Sequence, residues 1–291
     1  MDLVVRCANL PVPGETIIAD SSSEIPGGKG ANQAVASARA GGDVTMIGRV
    51  GDDAFADRLL ENLRRENIDT VNVSRSKQCA SGIAVVAVEA SGENAIMVVP
   101  GSNGRVTPED VEAAAGVIRK SDVLLLQLEI PLDAVLAAIK IATAADVRVI
   151  LDPAPMPNSL PDEILNVDII CPNQSEASAI VGRPIETVDD ARGCVSRLHH
   201  RGARNVIITL GGDGAVVSDG VSVEWIQPWK ITPVDTTAAG DAFAGALALR
   251  LADGASLVEA ARFAAAAGAI AATRVGAQPG MATRDEIEQL R

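Results

Sequence analysis

The sequence predicts an α/β fold: a doubly wound, mostly parallel central sheet flanked by helices, with a small antiparallel β lid. Three observations carry this reading. Continuous apolar, β-branched runs recur at VTMIG (44–48), VLLLQ (123–127), VRVILD (147–152), DIIC (168–171) and NVIITL (205–210). Amphipathic helical patterns lie between such runs: ANQAVASARAGG, DDAFADRLLENLRREN, PLDAVLAAIKIATAAD and VDDARGCVSRLHHRG. Strands apolar on both faces and alternating with helices belong to a parallel sheet covered on both sides. The third observation is a break in that rhythm. GETIIAD (14–20) and GIAVVAVEASGENAIMVV (82–99) have strand patterns with no helix between strands, the second as a hairpin turning at SGEN (91–94). A length of 291 residues with 47% hydrophobic content suits one large domain over 1–291, with a lid subdomain formed by 2–26 and 80–100.

In an open α/β sheet, ligands bind beyond the C-terminal strand ends, so the loops there are read in chain order. PGGKGANQAVASA (26–38) sets glycines around Lys29 ahead of a small-residue helix. Glycine allows close backbone approach, and Lys29 and Asn32 can donate to hydroxyl or phosphate oxygens; a plain helix-capping turn reads equally well. In LLLQLEIP (124–131), Glu129 follows a buried strand directly, as a site carboxylate or a solvated loop residue. DPAP (152–155) ends the next strand in the same way. CPNQSEASAIVG (171–182) places Asn173 and Glu176 three residues apart at a helix start, the spacing of a capping pair or of two groups orienting a hydrated magnesium ion. ITLGGDGAVV (208–217) is either a plain hairpin or a turn in which Thr209, Gly211 and Gly214 let a nucleotide lie against the backbone. Last comes DTTAAGDAFAGALA (235–248). Ala238, Ala239 and Gly240 leave amide groups unobstructed at a helix start, a ready pocket for a phosphate or oxyanion. Asp241 read alone is a helix cap. Several polar or glycine-rich loops converging on one crevice argue instead for a catalytic base.

Composition narrows the chemistry. A net charge of −13 argues against nucleic acid or an anionic membrane as partner, and lets an anionic nucleotide bind only through a local device. The four cysteines, at 7, 79, 171 and 194, form no CxxC pair and read as reduced, mostly buried residues. His199 and His200 are the only histidines, side by side on a polar helix end, and there is no tyrosine, HExxH or GxxxxGK[ST]. Carboxylates, backbone amides and a metal ion are left to carry any reaction. No secretory leader opens the chain and the apolar run at 261–272 is short, so a cytoplasmic protein is expected.

With GGKGAN and DTTAAGD in hand, the chain resembles the ribokinase branch of the PfkB carbohydrate kinase family. The resemblance runs from PGET (13–16) to GAQP (276–279), and GGKGANQA, QLE, PNQSE and GAQP carry the branch assignment. It implies a ribokinase-like fold and ATP-dependent phosphorylation of the O5 hydroxyl of D-ribose. Asp241 matches the family's general base and Ala238, Ala239 and Gly240 its anion hole. Asp2, Gly28, Lys29, Asn32 and Glu129 match sugar contacts. Asn173 and Glu176 match its magnesium- and phosphate-linked motif, with Thr209, Gly211 and Gly214 on the nucleotide loop. Asp235, Thr237, Ala271, Arg274, Gly276 and Gly280 fall on the loop pair that holds a monovalent cation, usually potassium. A homodimer clasped through the lid, by the apolar faces of IIAD and IAVVAVE, is also implied. The chain departs from its relatives where Met1-Asp2 stands at the end of a first strand they carry in full, so open sheet edges are expected. It departs again at Gly280, often serine, and at Ala265, which can be a histidine near adenine.

Three other readings compete. A related family kinase would act on fructose, deoxyribose, 2-keto-3-deoxygluconate or a nucleoside, although 2% aromatic content argues against nucleoside stacking. A catalytically impaired sugar-binding protein would follow from the short first strand. A nucleotide-dependent dehydrogenase lacks any GxGxxG after a first strand.

Overall fold

The computed structural model describes residues 1–91 and 93–290. Its central sheet has six strands in the order β12-β11-β10-β9-β8-β7, where β7 is Val123–Leu126, β8 Arg148–Leu151, β9 Ile169–Ile170, β10 Asn205–Thr209, β11 Ala215–Ser218 and β12 Val223–Ile226. From β7 to β10 every pairing is parallel; β11 and β12 extend the sheet antiparallel at one edge. Successive side chains leave a strand on opposite faces, and here both faces are buried. Val149 and Leu151 of β8, with Val206 and Ile208 of β10, enter one core with α5 (Leu132–Ala144), α7 (Gln174–Val181) and α8 (Val188–His200). Ile150 and Ile207 point the other way, into a second core with Leu247 of α9 (Ala239–Ala252), Phe263 of α10 (Leu257–Ala272) and Ile287 of α12 (Arg284–Leu290). The continuous apolar runs are the consequence of this two-sided burial.

The short helices α3 (Pro108–Ala113), α4 (Ala115–Ile118), α6 (Asp162–Leu165) and α11 (Ala277–Gly280) fill connections. VTMIG becomes β3 (Thr45–Val50), but β3 pairs only with β4 (Asp69–Arg75), as a separate parallel two-stranded ladder bridged by α2 (Ala54–Arg65). Among the described residues no strand joins β3 to β7, and both line one cavity. The expected open edges are those two.

The remaining sheet has the order β2-β1-β5-β6, with β1 Asp2–Cys7, β2 Ser21–Ile25, β5 Ile83–Glu89 and β6 Asn94–Val99. β5 and β6 form the expected antiparallel hairpin; of its turn at 91–94, Gly92 lies outside the described residues. GETIIAD is corrected: residues 14–20 form no strand, and the strand is the polar SSSEI that follows. Pro11, Pro13 and Gly14 hold the segment in turns, closed by a bond from the Glu15 amide to Val12 O (3.0 Å). Pairing with β1 begins only where the Asp20 amide reaches Arg6 O (2.8 Å). No helix among the described residues is long and apolar enough to cross a membrane. All four cysteines are free, and Cys79 is the one not buried. His199 is bonded to Ala203 O and Ser218 Oγ (both 2.9 Å) and does not line the cavity between β3 and β7, which fits a packing role.

Candidate active site

Two helix starts build the centre of the site. α1 (Lys29–Arg39) begins after Gly28, whose φ of 93° suits glycine, and no side chain caps it. α9 begins after Ala238, which sits in the left-handed region at φ 59°, a position unusual for alanine and costly by about 1 kcal/mol. That turn sends the chain sharply into the helix. The amides of Gly240 and Asp241, in the first turn, have no partner four residues back, whereas the Ala239 amide closes on Thr236 O (3.2 Å).

Asp241 is the third residue of α9 and is buried, yet it does not cap the helix: α9 has no side-chain cap. Its carboxylate instead receives one buried carboxamide on each oxygen. Asn32 Nδ2 donates to Oδ2 (2.9 Å) and Gln33 Nε2 to Oδ1 (3.0 Å), both from α1. The two helices approach this closely because Gly245, one turn beyond Asp241, presents no side chain: a Cβ there would lie 2.5 Å from Gln33 O and 2.7 Å from Ala36 Cβ.

Around this pair one open cavity of about 1630 Å³ is lined by Asp2, Gly28, Lys29, Asn32, Gln33, Glu129, Ala238 and Asp241. It exceeds the usual size of a ligand pocket because it runs on between β3 and β7. The Lys29 amide donates to Glu129 Oε2 (2.9 Å), tying the glycine loop to the end of β7. Asp2 packs against the same loop so closely that a Cβ on Gly27 would fall 2.0 Å from its Oδ2.

The electrostatics of this group is lopsided. Burial raises the pKa of Asp241, opposed by the Lys29 charge and by the bonds from Asn32 and Gln33. Burial also raises Glu129 against its bond from the Lys29 amide, and Asp2 against the charge of the chain's own ammonium group. Burial works against the Lys29 charge as well, but Asp241, Asp152, Glu176 and Glu129 outweigh it and lift its pKa above the ordinary value. A single lysine thus stays protonated inside a ring of carboxylates.

The residues expected on the nucleotide side do not line that cavity. Asn173 and Glu176 form a capping box at the start of α7, the simpler of the two readings: Asn173 Oδ1 accepts from the Glu176 amide (2.9 Å) and Glu176 Oε2 from the Asn173 amide (2.8 Å). Thr209 is brought beside them by a parallel bridge to Asn173. Burial raises Glu176 while Lys29 lowers it, so its charge is felt at the centre. Gly211 and Gly214 lie in the turn of the β10–β11 hairpin, the plain reading again. Gly214 is demanded by that turn, since its φ is 87° and a Cβ would meet Ile226 O at 2.1 Å. Nothing lies within 4 Å of a Cβ placed on Gly211.

The third expected group assembles at the other side of Ala238. The amides of Val234 and Asp235 both donate to Ala272 O (2.8 and 3.2 Å), joining the two loops. Asp235 accepts from the Thr237 amide (2.9 Å) and the Gly276 amide (2.8 Å), bonds that outweigh burial and hold its pKa low. A Cβ on Gly280 would lie 3.3 Å from Ala271 O and 3.6 Å from Arg274 Cβ, and the Arg274 guanidinium turns away to Glu286 (2.6 Å).

Three buried or half-buried carboxamides, Gln33, Gln127 and Gln278, escaped the reading of the chain. Gln33 Nε2 bridges Asp241 and Asp152, whose Oδ2 it reaches at 2.7 Å, while Gln127 Nε2 donates to Gln33 Oε1. Gln278 Nε2 donates to Asn32 Oδ1 (3.2 Å) from α11. Their signal lay in GGKGANQ, QLE and GAQP, where neither periodicity nor helix-start chemistry singles out the amides.

Residues 1–284 match the family described as pfkB family carbohydrate kinase. Ribokinase of Bacillus subtilis is 38% identical over 290 residues, covering 100% of this chain and 96% of its own. Deoxyribokinase of Salmonella typhi is 35% identical over 249 residues, covering 85% and 81%. The solved structure of Arabidopsis thaliana ribokinase complexed with ribose and ATP superposes with a TM-score of 0.91 at 33% identity, over 99% of this chain and 95% of that one. Phosphofructokinase-2 from Escherichia coli in complex with potassium gives 0.80 at 27% identity, over 99% and 94%.

Proposed function

The chain belongs to the pfkB family of carbohydrate kinases, and from that premise we propose that it transfers the terminal phosphoryl group of ATP to the O5 hydroxyl of D-ribose. The product is D-ribose 5-phosphate. The observation that carries the reading is the Asp241 carboxylate, buried, held at both oxygens and facing the same cavity as Lys29.

In this reading Asp2, Gly28, Lys29, Asn32 and Glu129 hold the sugar. Asp241 takes the O5 proton as that oxygen attacks the terminal phosphorus, and the bond to the bridging oxygen of ADP breaks. The amides at 238–241 receive charge that develops on the transferring group; phosphoryl transfer needs positioning and such electrostatics more than a covalent nucleophile. Asn173, Glu176, Thr209, Gly211 and Gly214 serve the nucleotide. Among the described residues no cluster of His, Cys, Asp and Glu forms a metal cage. Magnesium keeps several waters and binds largely through phosphates, so it would need no such cage: Glu176 would be the residue to hold it, through water, and the ion would neutralise phosphate charge. The loop pair of Asp235, Thr237, Ala271, Arg274, Gly276 and Gly280 would hold a monovalent cation, several of them through backbone carbonyls, and oxygen ligands of that kind suit potassium. The whole chain, 1–291, acts as one cytoplasmic kinase domain, with 2–26 and 80–100 as its lid. Ile96, Met97, Val98 and Val99 on β6 are all more than half exposed, an apolar strand that fits a second copy of this chain and makes a homodimer.

The test is release of ADP with D-ribose, 2-deoxyribose and fructose, with and without potassium, for the unmodified protein and for Asp241→Asn. Turnover highest with ribose and abolished in Asp241→Asn is expected. Highest turnover with 2-deoxyribose moves the assignment to that sugar, as the deoxyribokinase relative would have it. No turnover in the unmodified protein leaves a binding protein.

A further inference from the structure

Asp152 directly follows β8 and is buried, yet the reaction as described gives it no task. A carboxyl group in such a place is unfavourable unless something bonds to it. Its backbone is fixed by the Asp152 amide donating to Leu126 O (2.8 Å). Its side chain bonds to Gln33 alone, with Oδ2 accepting from Nε2 at 2.7 Å. It does not line the cavity that holds Asp241, whereas Gln33 does.

Gln33 is therefore the link. Its Nε2 has two hydrogens, one for Asp241 Oδ1 and one for Asp152 Oδ2, and its Oε1 accepts from Gln127. Both hydrogens and one of the oxygen's two acceptor positions are filled, and turning the amide over would set its oxygen against carboxyl oxygens. We propose that Asp152 is a positioning residue for phosphoryl transfer, locking the Gln33 amide and through it the orientation of the Asp241 carboxylate toward the acceptor hydroxyl. The inference rests on Asp241 being the base.

The charges around Asp152 agree with the role. It faces Lys29 of α1, Asp241 of α9 and Glu176 of α7, with the buried thiol of Cys171 nearby. Burial first, and then Asp241 and Glu176 against Lys29, push its pKa up to about 8. At neutral pH it mostly carries a proton, so it accepts from Gln33 without placing a second full negative charge beside the base. A neutral asparagine oxygen does the same.

The experiment is a double-mutant cycle in kcat and sugar KM on the full chain, with thermal unfolding of every variant. Asp152→Ala and Gln33→Met are each expected to lower kcat about tenfold or more with sugar KM within about twofold. The double variant is expected to be no slower than Gln33→Met alone, since Asp152 acts only through Gln33. Asp152→Asn is expected to recover most of the kcat lost in Asp152→Ala. If Asp152→Ala does not fold, Asp152→Ser, too short to reach Gln33, carries the same expectation. Effects that multiply in the double variant, a change confined to KM, or no recovery in Asp152→Asn would overturn the proposal. Asp241→Asn separates the two layers: if it keeps turnover, the base assignment fails; if it is inactive while the cycle is additive, only the role of Asp152 fails.

Discussion

Gly245→Ala adds one methyl at the crossing of α1 and α9 and so tests whether that crossing sets the site. The new Cβ would stand 2.5 Å from Gln33 O, 2.7 Å from Ala36 Cβ and 3.0 Å from the Ser37 amide, and two of these three atoms are backbone that cannot swing aside. Ordinary contact begins near 3.4 Å, so α1 must retreat by 3.4 − 2.5, about 0.9 Å. The bonds that hold Asp241 run from that helix at 2.9 and 3.0 Å, and the same displacement stretches them to roughly 3.8–3.9 Å, past hydrogen-bonding range. A shift of about 1 Å at a reacting group costs on the order of 10²-fold in rate. Stability moves much less. Overpacking costs about 1–3 kcal/mol, and replacing glycine within a helix returns about 1 kcal/mol. The net lowers Tm by several degrees at most, at about 2–4 °C per kcal/mol. Coupled measurement of ADP release beside thermal unfolding is therefore expected to find a folded protein about a hundredfold slower. A variant with kcat within twofold of the parent would show that the crossing does not hold the base, and the reasoning would fall.

Asp152 also makes a stability prediction with a definite sign. A carboxyl lifted from 3.8 to about 8 by folding binds its proton more tightly in the folded state, so its contribution is fully present below pH 3.8 and drains away as pH rises toward 8. Asp152→Asn, which cannot ionise, is expected to gain Tm over the parent at pH 8 and to lose that advantage at pH 4; a gap independent of pH would refute the burial argument. For the strand face of β6, light scattering is expected to give the mass of two chains, and Met97→Glu the mass of one; a one-chain mass for the unmodified protein would remove the proposed homodimer.

The legible part of the fold is the part with apolar residues on both faces. Val149, Ile150 and Leu151 go to alternate cores, and no other placement of such a run buries all three. SSSEI was illegible because nothing in it favours a strand; the backbone of β1 alone recruits it, in a register from Asp2–Ile25 to Arg6–Ser21. GETIIAD misled for the converse reason, since apolar residues without a partner strand make no ladder, and Ile18 is almost wholly exposed. In the site, Lys29, Asn32 and Asp241 stand at helix starts among glycines and alanines, where residue type and position jointly signal chemistry. Gln33 and Asp152 become a pair only through a bond spanning 119 positions, and the glutamine inside ANQAVASA carries no mark of it. The nucleotide-side motifs show the opposite limit. PNQSE and LGGDG satisfy a capping box and a hairpin turn outright, so their local pattern carries the fold before it carries any chemistry.

The charge of the cavity bears on which acceptor it takes. Asp2, Glu129 and Asp241 face the space beside the glycine loop; the charge of Lys29 acts on Glu129 and Asp241, and the Met1 ammonium on Asp2 and Glu129. Every one of these carboxyls is raised by burial, so each is already short of compensating charge. An acceptor bearing its own carboxylate or phosphate would add a further negative charge at low effective dielectric, where repulsion is strongest. A neutral polyol brings hydroxyl donors to those same oxygens and gains a charge-assisted bond from each. If these carboxyls hold the acceptor as proposed, turnover with 2-keto-3-deoxygluconate and with sugar phosphates is expected to fall far below that with a neutral sugar such as ribose, deoxyribose or fructose. Between these three the carboxylates do not decide, because each presents enough hydroxyls; the choice passes to how many can be bonded at once without leaving a buried acceptor unpaired. A 2-deoxy sugar offers one donor fewer, and a carboxylate left without its hydroxyl in this buried setting costs about 1–3 kcal/mol, roughly a tenfold to hundredfold preference for ribose.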